Sequence, residues 1–152
     1  MEEISDLMRK NHYRIEQLLK EFKTIYEKNP KLIFSSFDKF KWELEKHLFI
    51  EEKAIFIFYS PKDSEDFDTI PNLVQEHRKM LELLNKIENN LKDKNVDISE
   101  LLKLLIKHRN FEDGTLYPKL DRELEDSKKK IIIERLTENF PIGGKKWKNY
   151  LI

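Results

Sequence analysis

The sequence predicts an all-α fold: an antiparallel up-down-up-down four-helix bundle with a short C-terminal helix and a docked tail. Three observations carry that expectation. Among 152 residues there are only three glycines and five prolines. Apolar residues recur over long stretches at the helical rather than the strand period. Prolines and polar turn formers interrupt those stretches at a few points, where short helix–helix connections would fall. The length suits a single domain over residues 1–152, with the bundle over about 2–125 and the last helix and tail over about 127–152.

The first helix is expected over about residues 2–27, burying Ile4, Met8, His12, Ile15, Leu19, Phe22 and Tyr26. Asn29-Pro30 ends it, because proline lacks an N–H and restricts the residue before it. Ser35 or Ser36 is expected to cap the second helix, whose inner stripe is Phe37, Phe40, Leu44, His47, Leu48, Glu51, Ile55 and Phe58. Residues 60–66 are polar and contain a proline, which makes a loop. The third helix opens near Thr69 with Pro71 in its first turn, where proline is tolerated. It buries Leu73, Val74, His77, Leu81, Leu84, Ile87 and Leu91.

Residues 92–96 form the next turn, and Asp97 or Ser99 caps the fourth helix, with Leu101, Leu105, His108, Glu112 and Leu116 facing inward. Pro118 bends this helix, and residues 119–125 continue it. A shorter helix over about 127–139 has Ile131, Ile132, Leu136 and Phe140 to bury, and lies across the bundle. Pro141-Ile142-Gly143-Gly144 ends it. The tail, residues 145–152, carries Trp147, Tyr150, Leu151 and Ile152 and is expected to dock on the same bundle.

Composition excludes several classes of function. The 29 basic residues cancel the 29 acidic ones, so there is no basic footprint for nucleic acid. Absence of cysteine removes disulfides, thiolate metal sites and thiol nucleophiles. No apolar run approaches the roughly 20 residues that span a bilayer, and the opening MEEISDLMRK lacks a signal-peptide pattern. A cytoplasmic protein without a membrane span is the expectation.

The chemistry concentrates in an internal repeat. His12-Tyr13-Arg14-Ile15 before Leu18-Leu19 matches His77-Arg78-Lys79-Met80 before Leu83-Leu84. His47 to Phe56 matches His108 to Tyr117, each a histidine with a glutamate four residues on, Glu51 and Glu112. Positions i and i+4 share one helix face, so histidine and glutamate project together, here inward. Counted from a turn at Pro30, His12 lies 18 residues back, His47 17 forward and Glu51 21 forward. Counted from a turn at Asn95, His77 lies 18 back, His108 13 forward and Glu112 17 forward. With both turns at one end, all six side chains fall within about 12 Å of height.

A single histidine on a helical stripe is usually a satisfied core residue, and a single glutamate there usually reaches for water. All four histidines of the chain, however, share one level with two glutamates. Burying unpaired carboxylates among Phe, Leu and Ile costs several kcal/mol each, which bound cations would remove. Imidazole and carboxylate without thiolate suit iron, manganese or zinc, and carboxylates shared inside a helical bundle favour a pair of irons. The Glu-x-x-His pattern of ferritin-like bundles is absent: Arg9, Leu44, Val74 and Leu105 stand three residues before the histidines. The zinc-protease string His-Glu-x-x-His is absent too.

This order of histidine and carboxylate resembles the hemerythrin family, the HHE cation-binding domain, over about residues 4–120. The resemblance rests on His12, HLFIEEKAIF from His47, Glu76-His77, and HRNFEDGTLYP from His108. It implies a four-helix bundle around two non-haem iron ions, bridged by two carboxylates and an oxo or hydroxo group. Carried over by position, it implies His12 and His47 on one iron, His77 and His108 on the other, and Glu51 and Glu112 as bridges. Asp113 is an alternative to Glu112, since some members place the carboxylate one position later; the helical face favours Glu112. Zinc and manganese rank behind iron.

Oxygen-carrying members have a fifth histidine one turn from the one matched on the third helix, where this chain has Leu73 and Leu81. With six-coordinate irons, about one position on each is then open. Water or Glu16 could fill one of them, against an ordinary pairing of Glu16 with Lys20. The resemblance implies binding of dioxygen, nitric oxide or peroxide, for storage, carriage or sensing. An apolar pocket for that ligand is expected from residues such as Ile15, Phe49, Ile50, Leu81 and Phe111. The alternatives are an enzyme reducing peroxide or nitric oxide or donating iron for repair of iron centres, and a metal-free helical interaction module. The sequence leaves the oligomeric state open.

Overall fold

The computed structural model describes residues 3–62, 64, 66–93 and 95–137. Among them the regular structure is entirely helical. Helix α1 is Ile4–Lys28, α2 Ile33–Ile50, α3 Thr69–Asn89, α4 Ser99–Phe111, α5 Tyr117–Glu123 and α6 Asp126–Thr137. The stripe expected for the first helix is the buried one, from Ile4 through Met8, His12, Ile15 and Leu19 to Phe22.

Neighbouring helices meet with residue numbers rising on one as they fall on the other. Along α1 and α2 the pairs are Asn11 with His47, Arg14 with Glu43 and Phe22 with Phe37. Between α1 and the last part of the bundle they are Glu16 with Arg109, His12 with Asp113 and Ser5 with Asp121. The Val96 amide donates to the Tyr26 hydroxyl at 3.2 Å, which puts the loop before α4 beside the end of α1. The two turns used for counting heights therefore lie together, and the six inward side chains come to one level.

That level divides the core. One apolar cluster packs Phe22, Phe37, Phe40, Leu44, Met80, Leu84 and Leu101. The other packs Ile4, Met8, Ile55, Leu73, Leu116, Tyr117 and Ile132. The histidine of each long helix falls in sequence between residues of the first cluster and residues of the second, so a polar layer separates two apolar ones.

Several local expectations are corrected. Neither Ser35 nor Ser36 caps α2. A 3-10 turn over Pro30–Leu32 runs straight into it, and the Ser35 hydroxyl donates back to the Leu32 carbonyl at 3.1 Å. At α4 the Ser99 amide does donate to Asp97, at 2.9 Å.

The main departure follows each glutamate. Glu51–Ile55 and Glu112–Leu116 are π turns, closed by i→i+5 hydrogen bonds. One extra residue rotates everything after it by about 100° around the helix axis. Consecutive residues are consequently buried together, Ile55 with Phe56 and Leu116 with Tyr117. An unbroken helix would have placed Phe58, not Phe56, on the inner stripe.

Pro118 sits in the first turn of α5, where its missing N–H is harmless. In α6 Ile132 is buried while Ile131 is exposed, contrary to the expected pair. Asp121, on α5, accepts from the Ile4 amide at 2.8 Å, the Ser5 amide at 3.1 Å and the Ser5 hydroxyl at 2.5 Å, and so ties down the start of α1. Phe140, the Pro141–Gly144 stop and the tail expected to dock lie outside the described residues.

Candidate metal centre

His12 comes from α1, His47 from α2, His77 from α3 and His108 from α4; Glu51 and Glu112 open the two π turns. All six are buried, the two glutamates completely. Their donor atoms form two groups that share both carboxylates: His12, His47, Glu51 and Glu112, and Glu51, His77, His108 and Glu112. Within each group the donor atoms lie within 4.8 Å of one another.

Glu51 Oε1 is 3.2 Å from His47 Nε2, 3.1 Å from His77 Nε2 and 3.7 Å from His108 Nε2. Glu112 Oε1 is 3.2 Å from both His12 Nε2 and His108 Nε2. Donors bonded to one cation at about 2.1 Å and set at right angles around it are separated by about 3 Å, so this spacing fits a shared ion.

Each ring is aimed by an oxygen on its outer nitrogen. His12 Nδ1 meets Asp113 at 3.0 Å, His77 Nδ1 meets Glu52 at 2.9 Å and His108 Nδ1 meets Glu76 at 2.8 Å; His47 Nδ1 meets the Asn11 carbonyl oxygen. Carboxylate and amide oxygens accept, so each Nδ1–H donates and each Nε2 points a lone pair inward. His77 Nε2 and His108 Nε2 then face each other at 3.1 Å. Among the described residues, four lone pairs and two carboxylates converge with one donor, the Tyr117 hydroxyl, which donates a hydrogen bond to Glu51 Oε2.

His12 Nε2, Glu51 Oε1 and both Glu112 oxygens have no aligned hydrogen-bond partner, even where a neighbour is close. Orphaned buried acceptors are costly, and bound cations would satisfy such a set. Without metal, protons take that role. Burial opposes charge on His12 and His77, yet Asp113 and Glu112 raise His12, and Glu51 and Glu52 raise His77, each to about 9. Burial also opposes charge on His108, but Glu112, Glu51 and Glu76 push it up to about 12. Burial first, and then the Glu51 charge, push the Glu112 carboxyl up to about 7.

The six residues singled out in the sequence are thus brought together, and the alternatives find other partners. Asp113 braces His12 from outside the two groups. Glu16 pairs with Arg109 at 2.5 Å rather than with Lys20. Leu73 is buried in the apolar cluster beyond the site and Leu81 is 36% exposed, so neither adds a donor.

The ligand pocket differs from expectation. A cavity of about 20 Å³ lies against His12, His47 and His108, walled by Ile15, Leu44, Leu48, Met80 and Leu105, with Glu16 and Arg109 at its side. Of the lining residues expected, Ile15 is there. Ile50 lines a different cleft, Phe49 lines neither, and Leu81 and Phe111 are exposed. On α3 the inward neighbour of His77 is Met80, at i+3, whereas the inward neighbour of His108 is Glu112, at i+4 and just past the end of α4, leaving Phe111 outside.

Asn11, Glu52, Glu76 and the Tyr117 hydroxyl were missed as parts of the site. Their signal lay in the repeat. Asn11 and Glu76 immediately precede the lone histidines, Glu52 and Asp113 immediately follow the glutamates, and Phe56 and Tyr117 hold the same place after each glutamate. Phe56 stacks on His77 at 5.5 Å between ring centres, while Tyr117 lies 6.0 Å from His12. The duplication therefore extends to the second layer of contacts.

A family model described as the hemerythrin HHE cation binding domain matches residues 3–126. Comparison with curated proteins gives no match, and comparison with solved structures gives none either.

Proposed function

The chain belongs to the hemerythrin HHE cation-binding family, and from that premise we propose that it is a non-haem di-iron protein that takes up dioxygen, nitric oxide or a related small ligand for storage, carriage or sensing. The observation that carries the reading is the closed set of inward acceptors, two groups of four donors sharing Glu51 and Glu112. In this reading His12 and His47 hold one ion, His77 and His108 the other, and the two glutamates serve both. Nitrogen and oxygen donors without sulfur suit iron, with manganese or zinc behind it. We read residues 1–152 as one such domain.

When bound, the iron pair would supply open coordination positions and one-electron redox chemistry. The chain does the rest. Its four outer acceptors fix the imidazole planes, and such partners also make the inner nitrogens better donors. The Tyr117 hydroxyl holds one oxygen of Glu51, leaving the other oxygen toward the shared centre. The cavity beside the histidines is large enough for one water-sized molecule, and its apolar wall favours an uncharged diatomic over an ion or a bulky substrate.

The test is metal content of freshly purified protein alongside its near-ultraviolet and visible spectrum. About two irons per chain, with ligand-to-metal bands that change on adding nitric oxide or dioxygen, is the expected result. One zinc per chain and a featureless spectrum would overturn it.

A further inference from the structure

The two halves of the repeat brace their histidines in the same way, with one exception. The residue before each lone histidine holds the outer nitrogen of the His-x-x-x-Glu histidine in its own half: Glu76 holds His108, and Asn11 holds His47. Three of the four outer partners are carboxylates; Asn11 is the neutral one. Around that place three cationic side chains stand against one acidic one. The cleft beside Asn11, about 200 Å³, is lined by Lys10, Arg14 and Lys46 as well as by the buried Glu43. An amide stands where the surrounding charge would accept a carboxylate.

A carboxylate on the outer nitrogen makes an imidazole a more basic ligand, and changing such a partner shifts metal affinity by about 10–100-fold. We propose that the two ion positions are unequal by design of this brace: the position at His12 and His47 is the weaker, exchangeable one, and Asn11 is the positioning residue that makes it so. The proposal rests on the two-ion reading above. It places early loading at His77 and His108, with the second ion held loosely enough to leave or be replaced while the first stays.

The experiment titrates the metal-free full chain with cobalt(II) under anaerobic conditions, reading heat and visible ligand-field bands. The unaltered chain is expected to bind two ions in steps about 10–100-fold apart. Asn11→Asp should tighten the weaker step and draw the two together, Asn11→Ala should weaken that step further, and Glu76→Gln should loosen the tighter step. The adjoining cleft gives the Asn11 variants room, and circular dichroism checks that each is folded. Two equal steps in the unaltered chain, or an Asn11→Asp variant that leaves the weaker step in place, would overturn the proposal while leaving the two-ion reading intact. Fewer than two cobalt ions bound would overturn both.

Discussion

Replacing Glu112 by glutamine should change the sign of its effect on stability with metal content. Without metal, both Glu112 oxygens are buried and lack an aligned partner, and burial together with Glu51 pushes the carboxyl up to about 7. Above that pH a charge is held where water cannot reach it. Glutamine keeps the shape, removes the charge and can still turn its carbonyl oxygen toward His12 Nε2, which stands 3.2 Å from Glu112 Oε1 and, with His12 raised to about 9, carries a proton at pH 8. Relief of a buried unsatisfied group amounts to about 1–3 kcal/mol. For a chain of this size each kcal/mol moves Tm by about 2–4 °C, so metal-free Glu112→Gln should melt about 2–12 °C higher at pH 8.

With metal the balance reverses. An ion at 100 times its Kd contributes about 2.7 kcal/mol. Glu112 belongs to both donor groups, so its loss removes up to two such contributions; set against the gain of about 1–3 kcal/mol, this should lower the metal-loaded Tm by about 5–18 °C relative to the unaltered protein. Paired melts with and without metal, at fixed metal concentration, decide it. A variant that melts lower by the same amount in both states would refute the reasoning, since Glu112 would then be an ordinary packing residue.

Other outcomes follow from the same geometry. Tyr117→Phe removes the hydroxyl that Glu51 accepts, and denaturant melts of the metal-free chain should show a loss of about 1.5–3 kcal/mol, the range for hydrogen bonds to charged groups. Asp121→Ala frees the start of α1 and should cost about 1–3 kcal/mol equally with and without metal, which separates a structural tie from a donor. Between pH 6.5 and 9 the pH dependence of the metal-free chain comes from His12 and His77, raised above the ordinary 6.5 to about 9, together with His108, raised to about 12. Their stabilisation is fully present below pH 6.5 and falls from there upward, the parts from His12 and His77 being lost by about 9, so metal-free Tm should fall between pH 6.5 and 9. Metal binding displaces those protons, so the increment in Tm on adding metal should grow over the same range.

Much of the site could be read from the sequence because its signals obey the helical period. His47 with Glu51 and His108 with Glu112 mark a face directly, and the duplication shows that two such faces meet. What could not be read depends on geometry that residue type does not encode. No side chain selects an i→i+5 hydrogen bond, so the π turns at Glu51 and Glu112, and the inward swing of Phe56 and Tyr117, had no signature. The inward side of a helix tilts toward i+3 or i+4 according to its neighbour, which is why Met80 replaced Leu81 and Phe111 fell outside. Asn11, Glu52 and Glu76 stood in view at matching offsets, but which nitrogen each would meet depends on the crossing of helices.

The bracing contacts cross from one hairpin to the other. Asp113 of the second half steadies His12 of the first, and Glu52 of the first steadies His77 of the second. Each cluster of four donors also borrows one glutamate from the opposite half. A single hairpin cut from this chain would thus carry neither a finished cation cage nor a properly oriented lone imidazole. Two identical copies, facing one another about a twofold axis, would restore both at once.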